Sequence, residues 1–325
     1  MLSSYFKKLF TKKDFDRKNY LLEQINMLQF EVTNYCNLKC SICCRDLREN
    51  SLDLHSLSYA DFEKIFSKIT SLFKIKEFNP QGLGEPFLCA DILKILAMVK
   101  SRRITTWLVT NGTLINDLIS KGLVEIGVDK LRVSIDSADE GLYVKIKPNS
   151  RLEEVINNIS RINFYKEKLR MDNPRLAFNS VVLKSTIAGL DELINLASRL
   201  KVDEVTLIPL VLFSKGMSVE REQVDFYGED FKNKFEDLKI LATHKGVELN
   251  LGISLETKEV KYCHRGIYID ASGSIYPCCN ISSLKFGNAY RDDMERIASR
   301  YLDFRKWLDS KQVTCKLCNQ MIDAK

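Results

Sequence analysis

The sequence predicts an α/β protein in which a partial (β/α)6 barrel precedes a small cysteine-rich α+β extension. Between residues 27 and about 210, short β-like runs alternate with longer helical patterns, which is typical of βα units around a parallel sheet. Polar or glycine-containing segments follow four successive predicted strands, and a second group of cysteines lies beyond residue 259. Together these observations predict one barrel with a binding site at its mouth and a second cysteine site behind it.

Charge and hydropathy exclude several classes of protein. The formal charge of +6 is concentrated in residues 1–20, which carry a surplus of four positive charges, so no nucleic-acid-binding surface is expected on the rest. No apolar run approaches the roughly 20 residues that cross a bilayer, and no secretory signal begins the chain. Ten cysteines in an unexported chain indicate metal ligands, because disulfides rarely persist in the cytosol. We therefore expect a cytoplasmic protein without a transmembrane segment.

Residues 1–26 are predicted to form a basic N-terminal arm. Its apolar residues recur at helical spacing, which favours a short helix that packs on the barrel. Contact with a membrane or a partner is the alternative. These apolar residues are Leu2, Tyr5, Phe6, Leu9 and Phe10.

The first two predicted strands lead into unusual loops. The first strand covers residues 27–33 and runs into a cysteine-rich segment. A helix follows over residues 59–72, with apolar residues on one face and Ser58 as its N-cap. The second strand, near residues 75–81, runs into Gly82-Leu83-Gly84-Glu85-Pro86, where glycines allow the backbone to approach a neighbour closely.

The next two strands also end in polar segments. A helix at residues 90–101 precedes the third strand, 104–109, which ends in Thr110-Asn111-Gly112; the fourth strand, 130–133, ends in Ser134-Ile135-Asp136. Each short segment alone is typical of an ordinary turn or cap. In a parallel α/β barrel, however, ligands bind at the C-terminal ends of the strands. The four segments are therefore expected to meet at one mouth.

The remaining units complete the predicted barrel. The fifth strand is 175–183 and the sixth is 204–210, with a helix at 189–200 between them. Six units favour a partial barrel with an open side over residues 27–210. Residues 211–258 are more polar and are predicted to bridge to the extension, with a helix near 228–245.

Three cysteines after the first strand are spaced to hold a metal cluster from one loop. They are Cys36, Cys40 and Cys43. A four-iron cluster normally takes four thiolates, so three leave one iron open to a substrate or cofactor. A partial zinc site and three buried thiols are the alternatives.

This C-x3-C-x2-C spacing resembles the radical SAM family, in which a bulky residue often stands where Ile42 stands. The resemblance implies a TIM-like partial barrel and a 4Fe-4S cluster whose open iron chelates S-adenosylmethionine (SAM). An electron from a ferredoxin- or flavodoxin-like donor then cleaves SAM to methionine and a 5′-deoxyadenosyl radical, which abstracts hydrogen from a substrate.

The resemblance also implies cofactor contacts at the other strand ends. Gly84-Glu85-Pro86 is similar to a G-G-E-P segment that holds the amino group of SAM through backbone carbonyls, although Leu83 departs from the paired glycines. Both segments that follow are similar to family positions: Thr110-Asn111-Gly112 closes the third strand, and Ser134-Ile135-Asp136 at the fourth offers polar groups to the ribose and carboxylate. The expected cofactor-binding residues are Ile42, Gly84, Glu85, Pro86, Thr110, Asn111, Ser134 and Asp136. Asn179, Val181 and Leu207 either line the adenosine site or are ordinary barrel filling.

The C-terminal region, 259–325, resembles the SPASM or twitch extension of some radical SAM enzymes. Residues 266–277 are predicted to form a β-hairpin that delivers Cys278 near Cys263, and the chain ends in a Cys-x2-Cys pair. The expected ligands of a second 4Fe-4S cluster are Cys263, Cys278, Cys315 and Cys318. Cys279 is the alternative to Cys278, and an all-cysteine zinc site is the alternative to the cluster.

The resemblance implies a radical SAM enzyme whose auxiliary cluster assists oxidation of a substrate. That substrate is either a peptide or protein side chain, or a small molecule such as an aminosugar. Only about 26 residues precede the first strand, less than a peptide leader-binding domain requires. The rival hypothesis is a non-enzymatic iron–sulfur or zinc protein that binds a partner.

Overall fold

The computed structural model describes residues 25–45, 53–212, 219–252, 266–279 and 284–310, with side chains described up to residue 304. Most of the basic arm and three cysteines, Cys263, Cys315 and Cys318, lie outside these ranges. The strands within them are β1 Met27–Phe30, β2 Glu77–Asn79, β3 Thr105–Thr110, β4 Lys130–Ser134, β5 Arg175–Val182, β6 Glu204–Pro209, β7 Glu248–Leu251, β8 Gly266–Ile269, β9 Ser274–Tyr276 and β10 Gly287–Asn288.

Helices separate most of these strands. Within the described ranges they are α1 Tyr59–Leu72, α2 Ile92–Ser101, α3 Asp117–Ile126, α4 Glu140–Ile146, α5 Leu152–Leu169, α6 Leu190–Arg199, α7 Glu229–His244 and α8 Met294–Ser310. The bounds of α1 agree with those predicted from the sequence. Its predicted N-cap is confirmed, since the Ser58 hydroxyl accepts the Asp61 N–H at 3.1 Å. None of the helices in the described ranges has the length and apolar composition needed to cross a bilayer.

The strands form one sheet in the order β10-β9-β8-β1-β2-β3-β4-β5-β6-β7. The pairs from β8 through β1 to β7 are all parallel, whereas β9 pairs antiparallel with both β8 and β10. The predicted α/β class is confirmed. Sequence analysis missed β7, which extends the sheet beyond β6, and missed that β8 pairs directly with β1.

The main core lies between the helices and one face of the sheet. Four phenylalanines show the packing: Phe62 and Phe66 of α1 meet Phe30 of β1 and Phe78 of β2, with ring centroids 5.1–6.2 Å apart. Burial of such a side chain stabilises the fold by about 1.5–3 kcal/mol. The alternation of strand residues turns their neighbours to the opposite face, which we call the inner face.

The C-terminal elements are held against this barrel. The Tyr301 hydroxyl of α8 donates to the Gly266 carbonyl of β8 at 3.0 Å, and the Tyr301 ring packs on Phe286 with centroids 5.4 Å apart. Lys68 of α1 donates to the Ala289 carbonyl at 2.9 Å. The extension therefore continues the barrel sheet through β8 and covers α1 through α8.

Candidate active site

The cysteine loop, residues 36–43, leaves the C-terminal end of β1. The Cys43 N–H donates to the Cys40 carbonyl at 3.1 Å, which closes a tight turn around the last two cysteines. All three predicted ligands are half-buried. After the loop, the Arg45 N–H lies 3.4 Å from the Cys43 sulfur and the Arg45 guanidinium donates to the Asn34 carbonyl at 3.3 Å. The loop is thus folded back onto its own strand end.

Glu85 joins this loop to the ends of β2 and β3. Its N–H donates to the Tyr35 carbonyl at 2.8 Å, while its carboxylate accepts the Thr110 hydroxyl at 2.7 Å and the Asn111 N–H at 2.8 Å. Burial raises the pKa of Glu85 to about 7, although these hydrogen bonds oppose the shift. One buried residue, through its backbone N–H and its carboxylate, therefore fixes three strand-end loops relative to each other.

Glycine is required beside Glu85. A Cβ at Gly84 would overlap the Thr33 carbonyl and stand 2.6 Å from the Tyr35 carbonyl oxygen. The glycine turn, residues 82–86, therefore lies directly on the backbone that leads into the cysteine loop. Pro86 begins a short 3-10 helix, Pro86–Leu88, for which Glu85 is the N-cap.

Asn37 connects the cysteine loop to the turn after β3. Its side-chain oxygen accepts from the Asn111 amide at 2.9 Å, and its own amide donates to the Thr113 hydroxyl at 2.8 Å. The predicted residues Thr110 and Asn111 are thus brought to the cysteine loop, where the contacts they make are with Glu85 and Asn37. Sequence analysis did not identify Asn37.

The loop after β4 brings an unpredicted cation to the site. Both oxygens of Asp136 are occupied: one accepts the Val181 N–H at 2.8 Å and the other binds the ammonium of Lys147. The side chains of Lys147 and Asp136 are only 4% and 3% exposed. The Ser41 N–H of the cysteine loop donates to the Ile146 carbonyl at 2.9 Å, which places the segment beside Lys147 on that loop. Ser134 is half-buried at the end of β4, on the same face as Arg132.

Of the further adenosine candidates, two lie on the inner face and one does not. Val181 packs with Ile42 against a small apolar cluster that includes Leu183. Asn179 accepts from Arg132 at 3.0 Å. Leu207 is instead buried in the main core on the opposite face, because it is one residue out of phase with the inner-face position Thr206. The position of Leu207 therefore fits the alternative, ordinary barrel filling.

Sequence comparisons identify the family. The profile of the radical SAM superfamily matches residues 30–166, and that of SPASM, an iron–sulfur cluster-binding domain, matches residues 262–319. A probable GTP 3',8-cyclase of Sulfurisphaera tokodaii is 30% identical over 223 residues, which cover 68% of each chain. The chain belongs to the radical SAM superfamily. The predicted resemblance is confirmed.

Other radical SAM relatives share parts of the chain. A Pyrococcus furiosus protein named tungsten-containing aldehyde ferredoxin oxidoreductase cofactor-modifying protein is 28% identical over 186 residues, 56% of this chain and 52% of that protein. Streptococcus suis SuiB bound to S-adenosylmethionine superposes with a TM-score of 0.67 at 21% identity, covering 82% of this chain and 64% of SuiB. For anSMEcpe with bound AdoMet the TM-score is 0.66 at 17% identity, covering 83% and 79%. These structures confirm the partial-barrel fold.

Membership of the radical SAM superfamily identifies the class of cofactor. A radical SAM enzyme uses a 4Fe-4S cluster with SAM, and a SPASM domain adds auxiliary iron–sulfur clusters. The non-enzymatic rival and the zinc alternative are therefore excluded. Burial raises the pKa of Cys40 to about 12 and that of Cys36 above its usual value, so cluster binding must displace protons from the loop.

The cysteine loop fits such a cluster. No group of three His, Cys, Asp or Glu residues in the described ranges is gathered tightly enough for a single metal ion. Each iron of a cubane takes its own thiolate, so the sulfurs need not converge on one point. The loop offers three half-buried thiols from one strand end, as a cluster with one open iron requires.

The second cysteine site is described in part. The hairpin β8–β9 is present as predicted, and Cys278 and Cys279 follow it directly, both half-buried. Cys263, Cys315 and Cys318 lie outside the described residues, so their ligation stays a prediction. Of the other thiols, Cys89 is buried with its sulfur 3.5 Å from the Leu57 carbonyl oxygen, as an ordinary packed cysteine is.

Proposed function

We propose that this enzyme cleaves SAM reductively at the cysteine loop and abstracts hydrogen from a substrate on the inner face of the barrel. The observation that carries the proposal is Glu85, whose three hydrogen bonds lock the loops after β1, β2 and β3 together at one end of a parallel sheet. Ligands bind at this end in parallel α/β barrels. The bound cluster and SAM supply the one-electron chemistry, and the protein supplies ligation, orientation and exclusion of water.

The proposed roles follow the positions of the residues. Cys36, Cys40 and Cys43 would hold the 4Fe-4S cluster, and Ile42 would pack beside it. The glycine turn, with Gly84, Glu85 and Pro86, would hold the amino group of SAM through backbone that Glu85 fixes. Thr110 and Asn111 would position Glu85, as their hydrogen bonds to its carboxylate indicate.

The loop after β4 would hold the carboxylate and ribose of SAM. Lys147 is a buried cation beside the cysteine loop, and Asp136 fixes its ammonium. A buried ammonium that keeps hydrogen-bonding capacity suits an anionic ligand group. We therefore assign the electrostatic contact to Lys147, with Asp136 as its positioning partner and Ser134 as a polar neighbour of the ribose.

Cys263, Cys278, Cys315 and Cys318, with Cys279 as the alternative to Cys278, would hold an auxiliary cluster. Such a cluster would supply one-electron oxidation, so that the substrate is oxidised overall after hydrogen abstraction. The first cluster would be reduced by a ferredoxin- or flavodoxin-like donor. A cytoplasmic location suits ten cysteines that must stay reduced.

A peptide or protein side chain is the substrate class that the inner face favours. Arg132, in the middle of β4, points to this face and binds the buried carboxylate of Glu204 at 3.1 Å; Glu204 also binds Lys130, at the start of β4, at 2.6 Å. Two positive charges share one carboxylate, so the cluster keeps a net charge of only +1. The wall around Arg132 carries neutral hydrogen-bonding and aromatic groups, namely Trp107, Asn179 and Thr206. Such a wall suits an uncharged polar chain better than a triphosphate.

A GTP-like nucleotide is the second candidate, because the Sulfurisphaera tokodaii relative carries the name probable GTP 3',8-cyclase. A small molecule such as an aminosugar belongs to the same non-peptide alternative. Adding GTP to the reduced enzyme and analysing the products by mass spectrometry tests this candidate. Formation of a cyclised nucleotide would show that GTP, and not a peptide, is the substrate.

Anaerobic reconstitution tests the core proposal. The enzyme should bind about eight irons, as two four-iron clusters require, and should release 5′-deoxyadenosine from SAM after reduction. Absence of 5′-deoxyadenosine from a fully loaded, reduced enzyme would refute the proposed cleavage. Co-expression with short peptides encoded beside the gene should then give a peptide that has lost two hydrogen atoms, and an unchanged peptide mass would count against the substrate class.

A further inference from the structure

A buried carboxylate lies at the end of β1, and the site described so far does not use it. Glu31 is 2% exposed and points to the inner face, two residues beyond Gln29. One of its oxygens accepts the Leu83 N–H and the Tyr268 hydroxyl, the latter at 3.1 Å. The other accepts the Ala271 N–H at 3.1 Å. The Glu31 N–H donates to the Ile269 carbonyl at 2.8 Å.

The partners of Glu31 belong to two separate parts of the molecule. Leu83 lies in the glycine turn, next to Gly84 and Glu85, whereas Tyr268 and Ala271 lie in the hairpin that leads to Cys278. All three partners donate, so an ionised carboxylate satisfies them best. No cation in the described ranges forms an ion pair with Glu31, so these hydrogen bonds compensate its burial.

The space around Glu31 is shaped to keep it there. A Cβ at Gly82 would overlap the Glu31 carboxylate, so the glycine turn can pass only because residue 82 has no side chain. On the hairpin side, the ring of Tyr268 lies 6.1 Å from that of Tyr276, two residues before Cys278. A continuous set of contacts thus runs from the glycine turn through Glu31 to the second cysteine site.

We propose that Glu31 is a positioning residue that couples the SAM-binding turn to the hairpin of the auxiliary cluster. This inference rests on the proposed function, because it needs SAM at the glycine turn and a cluster at Cys278. Since one carboxylate holds both elements, a change at either one alters the energy of the other. Coupling between two sites is reciprocal, so loss of the auxiliary cluster should weaken SAM binding, and only when Glu31 is intact.

The test measures SAM affinity as the change that SAM causes in the electron paramagnetic resonance spectrum of the reduced first cluster. Glu31→Gln keeps the size of the side chain but sets an amide NH2 against at least one backbone N–H, so one of the two elements is released. We expect SAM binding to weaken on the order of tenfold, the effect of losing a hydrogen bond to a buried charged group. Tyr268→Phe removes one hydroxyl and should weaken it about threefold.

A second set of variants tests the coupling itself. In the wild type, Cys315→Ala/Cys318→Ala should weaken SAM binding several-fold; in the Glu31→Gln background the same pair should add nothing, because the link is already broken. Gly82→Ala, which displaces the carboxylate without altering it chemically, should reproduce Glu31→Gln. Unchanged SAM affinity in Glu31→Gln, or additive effects of the two changes, would overturn the inference.

Controls separate this inference from folding and from the proposed function. Asp129 is a control carboxylate at the other end of the sheet, where it accepts the Thr106 N–H at 2.7 Å and the Thr106 hydroxyl at 3.1 Å and, unlike Glu31, pairs with a cation, Lys100, at 2.6 Å. Asp129→Asn should leave SAM affinity unchanged, and iron content and unfolding temperature should be compared across all variants. If Glu31→Gln does not fold, Tyr268→Phe and its combination with the cysteine pair decide. A wild type that fails to cleave SAM would refute the proposed function, not the coupling alone.

Discussion

The two cysteine sites are built in different ways. The cysteine loop is held by loops from three neighbouring parallel strands, through Glu85, Asn37 and the backbone of Ile146. Within the described residues, the hairpin that carries Cys278 is attached by the parallel strand pair β8 with β1, by the carboxylate of Glu31 and by the Tyr301 hydroxyl of α8. In this part of the chain, the first site is therefore over-determined, whereas the hairpin is joined to the barrel by fewer contacts.

This difference matches the tasks we propose for the two sites. A cluster with an open iron must keep SAM within reach of the substrate, and misplacement by about 1 Å can cost on the order of a hundredfold in rate. A fully ligated cluster that only accepts an electron tolerates more variation in position. Changes at the first site should therefore affect SAM cleavage most strongly. Changes at the second site should affect mainly the oxidation of the substrate after cleavage, with only the several-fold loss of SAM affinity that passes through Glu31.

Removal of cluster ligands should produce the largest difference between the two sites. Cys40→Ala should abolish 5′-deoxyadenosine formation and lower the iron content by about one four-iron cluster. Cys278→Ala should instead retain SAM cleavage, with SAM bound several-fold more weakly, and lose substrate oxidation. Cys89→Ala, which removes a buried thiol outside the motif, should keep both clusters. Equal loss of SAM cleavage in Cys40→Ala and Cys278→Ala would show that the two sites do not have separate roles in SAM cleavage and substrate oxidation.

Much of the fold could be predicted because local patterns determine it. The bounds of α1 follow from its N-cap Ser58 and its apolar face, and the strands with helices between them alternate as their sequence patterns require. Strand β7 was missed because its four residues, Glu248–Leu251, carry little local signal. The pairing of β8 with β1 joins segments more than 230 residues apart, as in Met27 with Gly266, and no local pattern specifies such a contact.

The candidate site also combines residues that local sequence patterns predict with residues that they do not. The motif residues of the first four strands could be proposed from the sequence because each motif is contiguous and follows a strand; their roles stay predictions. Lys147 was missed because its role depends on Asp136, which reaches it across the α4 segment. Glu31 carried a signal that sequence analysis did not use, namely a charged residue in an otherwise apolar strand run. A charge at such a position has to be compensated in the fold, so it points to a specific set of partners.

The buried Lys147–Asp136 pair provides the next test of the over-determined site. Lys147→Met should lower the free energy of unfolding by about 3–5 kcal/mol, because it leaves a buried carboxylate without its cation. The double variant Lys147→Met/Asp136→Asn should recover part of this loss, since no uncompensated charge remains. Denaturant unfolding of the wild type, Lys147→Met, Asp136→Asn and the double variant measures the interaction energy between the two side chains. If the double variant loses as much stability as the two single variants together, the two side chains do not interact as described.

Glu85 predicts a pH dependence of stability. Its pKa is about 7 in the folded protein, above its usual value of 4.5, because of burial. The folded state therefore holds a proton that the unfolded state releases between these pH values, so this contribution to stability is lost as pH rises through about 7. Relative to Glu85→Gln, the wild type should lose at most about 3 kcal/mol between pH 4.5 and pH 8. A difference independent of pH would show that Glu85 is not buried as described.

The smallest expected effect compares two asparagines, one at each site. Asn37→Ala removes the hydrogen bonds to Asn111 and Thr113, and Asn288→Ala removes the bond from its amide to the Ser272 carbonyl at 2.9 Å. Each loss should be worth about 0.5–1.5 kcal/mol. Asn37→Ala should raise the KM for SAM about fivefold, because the cysteine loop loses its hydrogen bonds to the turn after β3. A fivefold change corresponds to a free energy within the range expected for a lost hydrogen bond. Asn288→Ala should change that KM less than Asn37→Ala does, because the hairpin acts on the cofactor only through Glu31, and it should lower substrate oxidation per SAM cleaved. A larger rise in the KM for SAM in Asn288→Ala than in Asn37→Ala would mean that the hairpin, and not the strand-end loops, positions the cofactor.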